Sequence, residues 1–206
     1  MQPKDKLYLY DAGVIKKLEE NRHILISGNS VKYIYFLVKG LMKISHITDN
    51  GDEVIKFILK PGNFFGELNL FDPADTLSEV AIALEPSEVC FLKIETAKQL
   101  MSKNEPIRKF INLSISNRIR QTEKKFLSLT HDDVAERILG FLNEFVLEFG
   151  KPVEGGYKAR NFLTHQDIAR IIVTTRQTVT TTLGTFKKKG WIDYDNRQLS
   201  VYKFRN

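Results

Sequence analysis

The sequence predicts an α+β chain with three parts: a β-sandwich or jelly-roll barrel, a long central helix, and a helical C-terminal domain ending in a hairpin. Three observations carry this. Residues 23–94 alternate short apolar runs with turn residues, residues 106–129 hold one helical seam, and residues 161–204 read as two capped helices followed by two strands.

At 206 residues the chain can bury the cores of two ordinary domains. Its 42% hydrophobic and 27% charged residues fit a soluble globular protein. The longest apolar run, Tyr33–Val38, has six residues, against roughly 20 for a bilayer span. No basic segment followed by an apolar core opens the chain, so neither secretion nor membrane insertion is expected and a cytoplasmic location is. Cys90 stands alone, which excludes an internal disulfide and an all-cysteine cluster. The net charge of +6 is uneven: residues 1–103 carry −1, residues 104–133 carry +2 and residues 134–206 carry +5. That asymmetry fits either a polyanion partner for the last third or a solvated basic surface.

In chain order, residues 11–20 predict a short helix, with Val14, Ile15 and Leu18 at helical spacing. Strand-like runs follow at Tyr33–Val38, Met42–Ile47, Val54–Leu59, Val80–Leu84 and Val89–Ile94, and Asn50-Gly51 is a strong hairpin signal because both residues tolerate positive φ. Gly62-Asn63-Phe64-Phe65-Gly66-Glu67-Leu68 breaks the pattern. It fits either a glycine-led helical turn aiming N–H groups at an anion or a plain β-turn followed by a carboxylate. From Pro106, Ile107, Ile111, Ile115, Ile119, Thr122, Phe126 and Leu129 repeat at spacings of four and three. So narrow a stripe suits dimerisation, with packing on its own domain as the alternative. Thr130-His131-Asp132-Asp133 reads as a capping box that starts a new helix. Its apolar face would include Ile138, Leu142, Phe145 and Val146, with Gly150 as its cap. The domains expected are 1–103, 104–130 and 131–206, with 151–160 a loop or small hairpin.

Residues 161–189 carry the function. Thr164-His165-Gln166-Asp167 is a second capping box, opening a helix in which small Ala169 permits a close crossing. Thr174-Thr175 offers an N-cap for a second helix that buries Val179, Leu183 and Phe186 and ends at Gly190. Its other face holds Arg176, Gln177, Thr180, Thr181 and Gly184, and residues 191–194 and 199–204 read as a hairpin wing. This is helix-turn-helix geometry, in which the second helix enters the DNA major groove. Arginine suits guanine, glutamine suits adenine, and threonine methyls suit thymine. Hydroxyls of Thr164, Thr175, Thr178, Thr180 and Thr181, with Lys187 and Lys188, would hold phosphates. A helical hairpin for protein contact is the alternative.

The chain resembles the Crp–Fnr family of bacterial transcription regulators over essentially its whole length. The resemblance is carried by Tyr35-Phe-Leu-Val-Lys-Gly40, Gly62–Phe71, Asp133-Val-Ala-Glu-Arg-Ile138 and the helix-turn-helix with its wing. It implies a cyclic-nucleotide-binding-type β-roll (jelly-roll-like), a central dimerisation helix using Ile111, Ile115, Ile119, Thr122 and Phe126, and a C-terminal winged helix-turn-helix. Effector residues would be Gly66, Glu67, Leu68, Leu77, Ser78 and Thr122.

Here the sequence departs from the cyclic-AMP-binding members. Leu77 stands where an arginine clamps the cyclic phosphate, ahead of the retained Ser78, and Glu79 stands where alanine is usual. Losing a charge-assisted partner and gaining a carboxylate disfavours cyclic AMP; the alternatives are a regulator responding to a cyclic nucleotide or another, unidentified small molecule through an altered phosphate clamp, or one with no effector. The cysteine cluster of the iron–sulfur branch is absent, and His23, His46, His131 and His165 show no metal-ligand spacing, so neither haem nor zinc is expected. Arg176 aligns with a base-reading arginine, Gln177 replaces a usual glutamate, Thr181 a second base-reading arginine, and Val173 a usual turn glycine. The resemblance implies double-stranded DNA, a second copy of the chain and RNA polymerase as partners, the last through residues 151–160 and 50–53. A cupin-like enzyme is the contrasting class, but only His46 lies in a strand-like run, where clustered His and Glu would be needed.

Overall fold

The computed structural model describes residues 3–26, 32–71 and 79–204. It forms two compact units, Met1–Thr122 and Glu123–Asn206, and the division falls within the long helix rather than at either end of it.

In the first unit, α1 (Pro3–Ala12) is followed by strands β1 (Val14–Leu18), β2 (His23–Leu25), β3 (Tyr33–Lys39), β4 (Met42–Ile47), β5 (Glu53–Leu59), β6 (Phe64–Phe65), β7 (Glu79–Ala83) and β8 (Ser87–Lys93). A 3-10 turn at Glu67–Leu70 lies between β6 and β7, and α2 (Ile94–Lys103) and α3 (Glu105–His131) follow. Two antiparallel sheets result, in the orders β1-β8-β3-β6 and β2-β7-β4-β5. Strand β3 explains its own unbroken apolar run. Tyr35 and Leu37 point into the interior with Met42, Ile44 and Phe65. Ile34 and Phe36 face the other way, onto Leu9, Ala97, Ile107 and Ile111 of the helices. Alternation vanishes because both faces are buried. The Asn50-Gly51 turn joins β4 to β5 as expected, with Gly51 at φ 84°.

Residues 11–20 are not a helix. The helix ends at Ala12, and Val14–Leu18 pairs with β8, Val14 opposite Phe91 and Leu18 opposite Ser87. Val14 and Ile15 stay exposed, so their helical spacing reports no buried face, and the backbone ladder decides the conformation. Gly13 makes the approach possible, since a Cβ there would lie 2.4 Å from Cys90 Sγ.

The second unit holds α4 (Val134–Phe149), β9 (Gly150–Val153), β10 (Gly156–Arg160), α5 (His165–Ile172), α6 (Arg176–Lys188), β11 (Ile192–Tyr194) and β12 (Gln198–Val201). Its sheet runs β11-β12-β10-β9, all antiparallel. Rings of Phe141, Phe145, Phe149 and Phe162 pack successively along α4. The capping box before α4 is three residues later than expected. Asp133 accepts from Glu136 N at 2.8 Å and its own N–H reaches Glu136 at 3.1 Å. Thr130 is still inside α3, its hydroxyl bonded to Leu127 O. Both positions carry a capping residue; Asp133 and Glu136 bond each other in both directions and start α4, whereas Thr130 stays within the last turn of α3. Gly150 is the C-cap of α4, its N–H bonded to Val146 O, and in an extended conformation it starts β9.

Between α5 and α6, Val173 adopts φ 60° and ψ 64°, with its side chain 51% exposed. A left-handed β-branched residue is strained, and this side chain gains little from burial in return. Val173→Gly is expected to stabilise the protein by about 1 kcal/mol, seen as a higher urea midpoint at constant m-value; an unchanged or lower midpoint would show the turn to be unstrained.

Candidate nucleic-acid interface

The helix pair is built as its caps dictate. Thr164 accepts from Asp167 N and Asp167 accepts from Thr164 N, closing the box ahead of α5. Ile168, Ala169 and Ile172 are buried, Ala169 completely. Thr175 caps α6, accepting from Thr178 N at 3.1 Å. Val179, Leu183 and Phe186 bury the inner face of α6. Its end is a Schellman motif: Trp191 N bonds Phe186 O and Gly190 N bonds Lys187 O, with Gly190 left-handed.

Whereas α4 and α5 carry Glu136 and Asp167 in their first turns, α6 carries no acidic residue there, only Arg176. The positive end of α6 is therefore left for an anion from outside. Arg176, Gln177, Thr180 and Thr181 are all exposed on one face.

These side chains differ in freedom. Arg176, Gln177, Thr181 and Lys188 have no bonded side-chain partner among the described residues. Thr175 and Thr178 pair their hydroxyls at 2.8 Å. Thr180 donates to Arg176 O and contacts His165 Nδ1, both at 2.9 Å. Lys187 is turned to the wing, 2.7 Å from Asp193 and 3.2 Å from Tyr194 O. The hydrogen bond between them raises the Lys187 pKa and lowers that of Asp193. Lys187 thus ties α6 to β11, a role its position in a lysine run does not announce. His165, on no list of expected contacts, is brought beside both Thr180 and Tyr194. Its signal in the sequence was its place directly after the N-cap of the first helix of the pair.

The expected effector residues are only partly assembled. Gly66, at φ 70°, leads into the 3-10 turn, and Leu68 is about half exposed. Leu77 and Ser78 lie outside the described residues. Thr122 bonds back to Arg118 O at 3.0 Å. Glu67 is 2% exposed and is held by Arg118 of α3, with Nε 3.2 Å from its carboxylate. Arg118 also donates to Phe64 O at 2.8 Å and lies over the Phe57 ring. Glu79, likewise buried, is bound by Lys56. Burial raises the Glu67 pKa first, Arg118 works against it, and Glu79 and Lys56 act in opposite senses. Two carboxylates and two cations therefore share one pocket of charge. Arg118 is the residue the sequence reading missed, although it lies three residues after Ile115 and four before Thr122 on the same stripe. Among the described residues no three His, Cys, Asp or Glu side chains gather to hold a metal, and no helix is long and apolar enough to cross a membrane.

Residues 15–104 match the cyclic nucleotide-binding domain, and residues 136–204 match the Crp-like helix-turn-helix domain. The chain is 32% identical to the Global nitrogen regulator of Nostoc sp. over 192 residues, covering 92% of this chain and 86% of that protein. It is 24% identical to the CRP-like cAMP-activated global transcriptional regulator of Mycobacterium tuberculosis over 178 residues, 86% of this chain and 79% of that one. In fold it is similar to the c-di-GMP responsive global regulator CLP of Xanthomonas campestris, with a TM-score of 0.80 at 20% identity, over 98% of this chain and 100% of that one. A nucleotide-binding-type β-roll followed by a Crp-like helix-turn-helix, with 32% identity across nearly the whole length of a regulator, places this chain in the Crp–Fnr family of DNA-binding transcription regulators and not among enzymes.

Proposed function

We propose that the protein regulates transcription as a homodimer on a near-palindromic site whose half-sites lie about one helical turn, roughly 34 Å, apart, and that its effector is not cyclic AMP. The observation that carries the DNA-reading assignment is the outer face of α6, where Arg176, Gln177 and Thr181 have no bonded side-chain partner next to a helix N-terminus without acid. Arg176 reads a guanine, Gln177 and Thr181 read neighbouring bases, and Lys188 and the one hydroxyl hydrogen that the Thr175–Thr178 pair leaves free meet phosphates, while Thr164 donates its own to Asp167. RNA polymerase is the further partner, met by the β9–β10 hairpin and the turn at residues 50–53.

The dimer rests on α3. Ile107 and Ile111 are fully buried, while Ile119 and Phe126 on the same stripe are 54% and 64% exposed. Apolar side chains at coiled-coil spacing, open to water, fit a second α3.

The effector reading rests on the charges around Glu67. Among the described residues Arg118 and Lys56 are already paired with Glu67 and Glu79, so a cyclic phosphate entering there would compete with two carboxylates for those cations. The cAMP-activated relative is also the less identical of the two regulators compared. Another small molecule is therefore the expected effector.

Three outcomes follow. Arg176→Ala is expected to lose about 1–3 kcal/mol of discrimination at one base pair; recovery of an unchanged site from a random DNA library would refute the assignment. Phe126→Asp is expected to turn a dimer into a monomer in sedimentation equilibrium, and persistence of the dimer would exclude this seam. Cyclic AMP is expected to leave the thermal midpoint unmoved in a ligand screen, and a large upward shift would overturn the effector reading.

A further inference from the structure

His165 is the first residue of α5, and its surroundings fix the state of its ring. Thr180 Oγ1 lies 2.9 Å from Arg176 O and 2.9 Å from His165 Nδ1. A carbonyl oxygen only accepts, so the single hydroxyl hydrogen goes to Arg176 O. The contact with the ring is then satisfied only if Nδ1 carries hydrogen and donates to Thr180. In the neutral ring Nε2 is therefore the bare nitrogen. It has no partner among the described residues and is not among the buried unpartnered atoms, so it opens to solvent. Tyr194 of the wing meets the ring edge-on, with centroids 5.7 Å apart. The ring at the start of α5 thus lies beside both α6 and the wing. A phosphate oxygen is disfavoured by a lone pair there and favoured by an N–H.

The charged or titratable groups facing the ring are Arg176 from α6 and Tyr194 from β11, and the Lys187–Asp193 pair adjoins Tyr194. Burial, then Arg176, hold the His165 pKa below its usual 6.5, so the free protein carries it neutral at pH 7.

We infer that His165 is a proton-dependent phosphate contact: DNA binding draws a proton from solvent onto Nε2, and the new N–H donates to a backbone phosphate oxygen while Nδ1–H keeps its bond to Thr180. The inference rests on α6 being the DNA-reading helix. The sign follows from linkage. The phosphate raises the His165 pKa in the complex above that of the free protein, so the complex binds more protons. Affinity therefore rises as pH falls through the interval between the two values. The effect is independent of DNA sequence, because a phosphate carries none.

The test uses the full chain and a mixed-sequence duplex at low salt. The wild-type Kd is expected to fall roughly five- to tenfold between about pH 8 and about pH 6. The slope of log K against log salt should steepen by about 0.9 at the lower pH, for one added phosphate contact. His165→Gln is expected to keep the high-pH affinity and lose this gain, which subtracts any contribution from His23, His46 and His131. His165→Arg should hold tight binding and the steep salt slope at both pH values. For the wild type, an NMR titration of the His165 ring should show a higher pKa in the complex than in the free protein, and this needs no variant to fold. An equal pH response in wild type and His165→Gln overturns the proposal, as does a ring pKa that stays put or falls on binding. Either result leaves the reading of α6 intact. Duplex binding indifferent to Arg176→Ala and Lys188→Ala would instead strike that reading itself.

Discussion

The structure depends on how far burial extends along α3. Ile107 and Ile111 are sealed under the helix-facing side of β3 and β8, which fixes the start of the helix to the β-roll. Beyond Ile115 the stripe continues with large exposed apolar side chains, Ile119 and Phe126 among them. A 27-residue helix cannot owe its length to such a seam alone, since isolated helices gain most of their stability from packing of one face. The anchored turns hold it, and the turns beyond them leave Ile119 and Phe126 open to water.

Arg118 sits where that cover ends. It closes the β-roll by meeting Glu67 and the carbonyl of Phe64, and it does so from the helix that leads toward the second unit. Removing two charges from water is costly and is tolerated here because each carboxylate has its own cation: Arg118 for Glu67 and Lys56 for Glu79. One oxygen of Glu67 is nonetheless buried without a hydrogen-bond partner among the described residues. The arrangement is compensated in charge and incomplete in hydrogen bonding, and a ligand bringing a donor answers that need better than one bringing an anion.

Much of this was legible in the sequence where the signal is local. Caps, turns and periodicity are properties of four to seven consecutive residues, so β3–β5, β7, β8, the Thr164 box and the inner face of α6 could be read directly, whereas Val173 was marked only by the family resemblance. What escaped depends on partners far along the chain. Val14–Leu18 is a strand because β8 lies beside it, which its own spacing does not record. Arg118 meets Glu67 across some fifty positions. Lys187 looks like one of three equivalent lysines until Asp193 and Tyr194 are folded beside it.

The threonine-rich face of α6 is drier than its composition suggests. Thr175 and Thr178 spend their hydroxyls on each other and on the helix N-terminus, Thr180 on Arg176 and His165, and Thr185 on the carbonyl of Thr181. With all but one of those hydroxyl hydrogens occupied, the methyl groups make up much of what the face offers to a groove. Water held there is weakly bonded and cheaply released, so docking resembles apolar burial and should carry a negative heat-capacity change. A surface that reads as polar would then act in the complex partly as a hydrophobic one, with Arg176, Gln177 and Thr181 as the polar points set into it.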